Sequence, residues 1–111
     1  MSAWDALTRG APVSWRAVVL SHHRHRIGTE DELAAVYRRH RTPNAAAAAM
    51  TPVAIRVYGQ ETPVVWDGVH RWRMARRRGV SRIPAIVSRY DSDGRFVEAA
   101  DVVLRMKPGT G

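Results

Sequence analysis

Four residues in a short basic segment, WDGVHRW, have types and spacing suited to phosphate chemistry: Asp67, Gly68, His70 and Arg71. An apolar run before them predicts a strand, and the glycine permits a sharp turn into a helix. The first turn of a helix presents unpaired N–H groups and the positive end of its dipole, which bind anions. Arg71 adds a forked donor for phosphate oxygens, and His70 adds a donor that titrates near neutral pH. The joint between strand and helix is therefore a predicted phosphate site, completed by the backbone of Val69.

Asp67 is the one residue of this group that a simple anion site does not need, because a carboxylate repels phosphate. Nucleotide chemistry explains it, since Asp67 would bind a Mg²⁺ that bridges to phosphates or accept the proton of an attacking hydroxyl. A purely structural explanation also stands. In it, Asp67 caps the helix, Gly68 makes the turn, and His70 and Arg71 belong to a solvated helix face. The residues alone leave both explanations open.

The charge of the chain favours an anionic partner. Its 111 residues carry a formal net charge of +8, and 17 of the 18 basic side chains are arginines, with Lys107 the only lysine. Arginine binds phosphate with a planar fork, so this bias suits a nucleotide or a non-specifically bound nucleic acid. A bias toward GC-rich codons would produce the same composition. The chain has no cysteine, which excludes disulfides, thiolate nucleophiles and zinc–sulfur sites.

The segments around the joint alternate between strand-like and helix-like patterns. This mixture predicts one compact α+β domain, with a small mixed sheet and flanking helices. The alanine run 44–50 fits either two helical turns or a linker, and 95–106 fits either a strand or a helix. The predicted strands are 13–20, 52–59, 63–66 and 83–90, and the predicted helices begin at Thr29 and Val69.

The predicted domain covers residues 12–106. Residues 1–11 read as a loose lead, in which Trp4 and Leu7 would form one helical turn, and 107–111 read as a frayed tail. The N-terminal residues lack the basic start and apolar stretch of a signal peptide, and no apolar segment is long enough to cross a bilayer. We therefore expect a cytoplasmic protein without a membrane partner.

The segment WDGVHRWRMARRRGVSRIPAIV resembles the signature of the ParB/sulfiredoxin-like superfamily. ParB-type partition proteins have the pattern G-E-R-R-W-R-A…G…I/V-P-A-I-V, and the free-serine kinases of the same fold have D-G-H-H-R-W. The resemblance covers roughly residues 13–90 and implies a nucleotide site at the joint. The matching positions are Asp67, Gly68, His70, Arg71, Trp72, Arg73, Ala75, Gly79, Pro84, Ala85, Ile86 and Val87.

Two departures from the superfamily pattern affect the predicted chemistry. Val69 stands where sulfiredoxins have their catalytic cysteine, which argues against sulfinic acid reduction. The serine kinases carry a glutamate in a P-H-E motif after the first strand, and the resemblance implies that it acts as a base. Here Ser21-His22-His23 occupies that place. His23 or Glu30 would then have to substitute for the missing glutamate.

The loop SHHRHR contains three histidines and two arginines, residue types that bind metal ions and phosphate. His23 and His25 would share one face of an extended segment, but no fourth ligand at a suitable spacing supports a dedicated zinc or copper site. We expect Arg24 and Arg26 either to contact phosphate or to belong to an exposed basic loop. Trp66 fits either base stacking or the core.

Three functions are consistent with these residues. The first is an ATP-dependent phosphotransferase, similar to a kinase, that acts on a small hydroxyl-bearing substrate. In it, Asp67, His23 and Glu30 would be the catalytic candidates, with ATP or CTP and Mg²⁺ bound at Gly68, Val69, His70 and Arg71. The second is a DNA-binding or partition accessory module gated by a nucleotide, and the third is a nuclease-like protein. The D-G-x-H-R motif favours the first function, whereas the arginine-rich composition favours the other two.

Overall fold

Apolar residues at every second position of the central strands build one face of a sheet. In the computed structural model, which describes residues 1–21 and 29–108, five strands form this sheet and four α-helices accompany it. This confirms the predicted α+β class with a mixed sheet. The strands are β1 (Val19–Leu20), β2 (Val53–Tyr58), β3 (Val64–Asp67), β4 (Arg82–Tyr90) and β5 (Phe96–Arg105). The helices are α1 (Ala3–Thr8), α2 (Thr29–Arg39), α3 (Pro43–Ala48) and α4 (Val69–Arg77).

The strands lie in the order β1-β3-β2-β4-β5. β1 runs parallel to β3 and β2 runs parallel to β4, whereas the β2–β3 and β4–β5 pairs are antiparallel. The antiparallel pairing of β2 with β3 agrees with the short interval between the predicted strands 52–59 and 63–66. The segment 95–106, which the sequence left undecided, is the edge strand β5.

The core lies between the helices and one face of the sheet. Side chains of β2 alternate between buried and half-buried, and β4 shows the same alternation over much of its length. Trp72 of α4 is 2% exposed and packs edge-to-face on Trp15, with ring centroids 4.9 Å apart. Ala75, three residues further along α4, is also buried, so one face of this helix belongs to the core.

The prediction of one strand over 13–20 is wrong in its extent. Val13 forms only an isolated bridge to Met106, a 3₁₀ turn covers Trp15–Ala17, and the strand is limited to Val19–Leu20. The Ser14 side chain accepts a hydrogen bond from the backbone N–H of Arg16 and so begins the turn. The turn directs Trp15 into the core, where burial of a large aromatic ring outweighs the strand propensity of the segment.

The N-terminal segment is also more ordered than the predicted loose lead. Residues 3–8 form α1, which begins at Ser2 because the Ser2 hydroxyl accepts a hydrogen bond from the backbone N–H of Asp5. Leu7 is 4% exposed and belongs to the core. One buried leucine and a capped first turn are enough to fix this short helix against the sheet.

The alanine run forms a helix rather than a linker. Pro43 is its first residue, and the Thr42 side chain caps it by accepting a hydrogen bond from the backbone N–H of Ala45 at 3.1 Å. Ala46 and Ala47 are buried. None of the helices in the described part of the chain is both long and apolar enough to span a membrane.

Candidate functional site

The joint between β3 and α4 is a tight left-handed turn. Gly68 has φ +94° and ψ +27°, and its carbonyl oxygen accepts the first hydrogen bond of α4, from the backbone N–H of Trp72 at 2.8 Å. Among the residues that the structure describes, no side chain caps the start of this helix, and its first turn contains no acidic residue. Asp67 therefore does not act as an N-cap, and the structural explanation of that carboxylate does not apply. The helix start keeps its positive dipole end without a neutralising side chain.

The guanidinium of Arg71 lies close over Gly68. A Cβ atom at position 68 would stand 2.8 Å from Arg71 Nη2 and 2.9 Å from Val53 Cγ1, closer than carbon atoms can approach such neighbours. Glycine is thus favoured at this position by the left-handed backbone and by the buried Val53 side chain, and a larger residue would also have to displace the Arg71 guanidinium. The Arg71 guanidinium can lie beside the start of α4 because Gly68 has no side chain that would separate the guanidinium from the backbone.

The hydrogen-bonding capacity of Arg71 is mostly unused within the described residues. Its Nη2 donates one long hydrogen bond, 3.4 Å, to the carbonyl oxygen of Pro52, and lies 4.0 Å from Asp67 Oδ2. Its Nε is buried and has no partner. A guanidinium has five N–H donors, so this side chain can take an additional anionic partner. The side chain is 23% exposed, which leaves it accessible from solvent.

Asp67 lies at the edge of this arrangement with its side chain 74% exposed. At 4.0 Å its carboxylate makes only a weak ion pair with Arg71, of the kind that contributes little to stability in solvent. The described residues contain no cluster of three or more His, Cys, Asp or Glu that could hold a metal ion. Asp67 therefore fits Mg²⁺ only as one ligand of an ion whose other ligands are phosphate oxygens and water.

A small cavity lies behind Arg71, between α2, α3, α4 and β4. Its volume is about 10 Å³, and its lining includes Tyr37 and Arg71. The Tyr37 hydroxyl is buried without a hydrogen-bond partner. Burial raises the pKa of this phenol above its ordinary value, and the nearby Arg78 guanidinium opposes part of the rise. The cavity has room for about one water molecule but not for a phosphate group, so an anion must approach Arg71 from the solvent side.

Glu30, one of the predicted catalytic residues, is engaged elsewhere. Its Oε1 lies 3.2 Å from Arg77 Nη2, and both side chains are more than half exposed. Arg77 is the last residue of α4, whereas the predicted phosphate site is at the first turn of that helix. The structure thus brings Asp67, Gly68, Val69, His70 and Arg71 together and holds Glu30 at the opposite end of the helix.

The remaining predicted site residues are His23, Arg24, Arg26, Val69 and His70. Of these, His23, Arg24 and Arg26 lie outside the described residues. Val69 is buried at the first position of α4 and can contribute only its backbone. His70 is half-buried beside it.

Sequence reasoning missed one arrangement next to the joint. The core position considered for Trp66 is wrong, because this ring is 44% exposed. The Arg56 guanidinium lies over it, with Cζ 3.9 Å from the ring centroid. The alternation of β2, in which Arg56 faces away from the buried Ile55 and Val57, is the signal that could have placed this arginine beside an exposed ring.

No family model, curated protein or solved structure matches this chain.

Proposed function

We propose that this chain binds the phosphates of a nucleotide, ATP or CTP with Mg²⁺, at the β3–α4 joint. One observation carries the proposal: the Arg71 guanidinium lies over Gly68 beside an uncapped helix start and has most of its donors unused. A buried donor without a partner is unfavourable, and an anion at this place would pair with it. The same anion would also accept hydrogen bonds from the first N–H groups of α4.

The activity that we propose for the bound nucleotide is phosphoryl transfer to a small hydroxyl-bearing substrate. Arg71 and the backbone of Val69 and His70 would hold the phosphates, which positions the reacting group and offsets its charge. Asp67 is exposed beside them and would take the proton of the attacking hydroxyl or bind Mg²⁺. The Mg²⁺ would neutralise charge on the phosphates. A cytoplasmic location forms part of this proposal, because nucleotide substrates are abundant there.

The sequence motif supports the same proposal. The order D-G-x-H-R-W resembles the free-serine kinase form of the ParB/sulfiredoxin-like superfamily, and the five matching residues belong to the β3–α4 joint. The main difference is the missing P-H-E glutamate. With Glu30 paired to Arg77, Asp67 is the carboxylate closest to the proposed phosphate position, and His23 remains the other candidate base.

The test of nucleotide binding is a thermal-shift measurement with ATP, ADP and CTP, each with and without Mg²⁺. We expect at least one nucleotide to raise the melting temperature of the parent protein and the Arg71→Ala variant to lose this shift. Arg73→Ala is the matched control, because Arg73 is an exposed arginine two residues further along the same helix. Equal shifts in the parent and in Arg71→Ala would place nucleotide binding elsewhere.

A second candidate function is a nucleotide-gated DNA-binding module or a nuclease-like protein. Its support is an open depression on the surface of α4, lined by Arg73, Arg76 and Arg77 together with Glu30. Arginines on an exposed helix can bind the phosphates of duplex DNA without reading its sequence. Under this alternative, ATP or CTP would change the affinity for a DNA duplex, and a nuclease would cut it. The parent would then show no phosphoryl transfer to hydroxyl compounds.

A further inference from the structure

The face of the sheet opposite the helices is exposed in the described residues and is rich in aromatic and apolar side chains. We call it the open face. Its residues alternate with the buried ones along β2 and β4, and cross-strand pairing extends it to β3 and β5. Large hydrophobic side chains on it are 38% to 60% exposed. They are Val19, Trp66, Ile86, Phe96 and Val103.

An arginine is held among the aromatic rings of this face. The Arg56 guanidinium carbon lies 3.9 Å from the centroid of Trp66 and 5.2 Å from that of Tyr90. Its Nη1 donates a hydrogen bond to the Tyr58 hydroxyl at 3.1 Å. Tyr90 in turn stacks on Tyr58 at 4.9 Å and meets the edge of Phe96 at 5.8 Å. The result is a continuous cluster of four rings and one cation across β3, β2, β4 and β5.

The positive charge of this face is not neutralised within the described residues. Arg56, Arg82 and Arg105 form no ion pair with a described carboxylate. Arg82 and Arg105 also stand directly opposite each other in the β4–β5 ladder. Like charges in that position are unfavourable unless an anion lies between them. Asp101, opposite Ile86, reduces the charge of the face but does not cancel it.

We propose that the open face binds single-stranded nucleic acid. Bases of a single strand stack on exposed aromatic rings of a sheet, and arginines beside the rings bind its phosphates. The ring cluster would stack on the bases, and Arg56 and the Arg82–Arg105 pair would bind the phosphates. Arg56 and Arg82 are separated by about six residues of strand, roughly 20 Å, which suits an extended strand of several nucleotides. Arg71 of the proposed nucleotide site packs on the helix side of the sheet, beside Val53 and Tyr37, and not on this surface.

A second copy of the chain is a poorer occupant of the same face. A dimer through the open face would bury three arginines of each copy against a face on which Asp101 is the carboxylate identified above, and a buried unpaired charge is strongly unfavourable. A polyanion with flat aromatic bases complements both the charge and the rings. The single-strand preference follows because only unpaired bases can lie flat on the exposed rings.

The test uses fluorescence anisotropy of a short fluorescein-labelled oligothymidylate, titrated with the full chain at several salt concentrations. We expect Phe96→Leu, which keeps an apolar side chain but removes the ring, to weaken binding at least about fivefold. Arg105→Gln should weaken binding and reduce the slope of log K against log salt by about 0.7. Arg73→Gln, the same charge change on the helix side, should leave the affinity within about twofold of the parent, because Arg73 lies off this surface. Phe96, Arg105 and Arg73 are all exposed, and circular dichroism melts would check that each variant folds.

Three results would overturn this proposal. The first is that Phe96→Leu and Arg105→Gln bind oligothymidylate as tightly as the parent does, including the case in which only Arg73→Gln binds more weakly. Another is a matched duplex that binds as tightly as the single strand. The third is a parent protein that sediments as a dimer and becomes monomeric in Val103→Glu, with no loss of oligothymidylate binding in Phe96→Leu. That last result would show that a second copy covers the face.

Discussion

The Arg71 guanidinium occupies the space where a side chain at position 68 would begin. Arg71 Nη2 lies only 2.8 Å from the place of a Cβ atom on Gly68. The glycine and the arginine of the D-G-x-H-R motif are therefore parts of one arrangement, in which the first makes room for the second. A side chain at position 68 would have to displace the Arg71 guanidinium and would also meet Val53 Cγ1 at 2.9 Å, in addition to the cost of the positive φ.

Gly68→Ala should be more destabilising than Gly79→Ala. Both glycines have positive φ, +94° and +74°, so both variants incur a backbone penalty of about 1 kcal/mol. Only at Gly68 would the new methyl group also collide with Arg71 and Val53, since nothing lies within 4 Å of a Cβ at Gly79. We expect urea unfolding to show the larger loss for Gly68→Ala, together with loss of the nucleotide-induced thermal shift. Equal losses in the two variants would contradict the close packing of Arg71 on Gly68.

The position of the β3–α4 joint followed from local sequence, whereas its tertiary contacts did not. A strand, a glycine and a basic amphipathic segment are local signals, and they located the β3–α4 joint correctly. The contact of Arg71 with Pro52 depends on how β2 lies beside β3, which the spacing of 19 residues does not reveal. The pairing of Glu30 with Arg77 likewise depends on the packing of α2 against α4.

Tertiary packing also decided the parts of the fold that were predicted wrongly. The segment with Trp15 has strand propensity, but the contact between Trp15 and Trp72 turns it into a 3₁₀ element. The helix at 3–8 is too short to be stable alone and depends on the burial of Leu7. By contrast, β2 and β4 were predictable because their apolar residues alternate and turn residues bound them.

Replacing Tyr37 with phenylalanine should stabilise the protein and change its response to alkaline pH. The Tyr37 hydroxyl is buried without a partner, so its removal should raise the free energy of unfolding by up to about 1 kcal/mol at neutral pH. Burial raises the folded-state pKa of this phenol, so above about pH 10 the unfolded chain ionises first and stability falls. Tyr37→Phe should lose less stability over that range. Denaturant unfolding at neutral and alkaline pH measures both effects, and identical pH slopes would contradict the assigned burial.

Glu30→Gln should leave phosphoryl transfer largely intact. The Glu30 carboxylate pairs with Arg77 at the far end of α4, and an exposed ion pair of this kind contributes less than about 1 kcal/mol. We therefore expect small changes in melting temperature and in ATP turnover, and Arg77→Gln should resemble Glu30→Gln in both measurements. If Glu30→Gln alone abolished turnover, Glu30 would act as the catalytic base, and α2 would have to move toward the joint when substrate binds.

The Asp67→Asn substitution tests whether the Asp67 carboxylate has a catalytic role or only a structural one. The side chain is 74% exposed and does not cap α4, so the substitution should change the free energy of unfolding by no more than about 0.5 kcal/mol. Without Mg²⁺, nucleotide affinity should hold or improve, because the negative charge beside the phosphates is removed. Turnover should fall by at least about a hundredfold if Asp67 takes the proton of the attacking hydroxyl.

The measurement for Asp67→Asn is ATP consumption with a panel of hydroxyl amino acids and small alcohols, alongside nucleotide binding with and without Mg²⁺. Asp101→Asn is the matched control, because Asp101 is an exposed aspartate on the edge strand β5, away from the joint. A role in binding Mg²⁺ predicts that Asp67→Asn loses the Mg²⁺-dependent part of the nucleotide affinity. A role as base predicts that this part is kept while turnover is lost. Full turnover in Asp67→Asn would show that the carboxylate has neither role, and the anion site formed by Arg71 and the start of α4 would then act in binding alone.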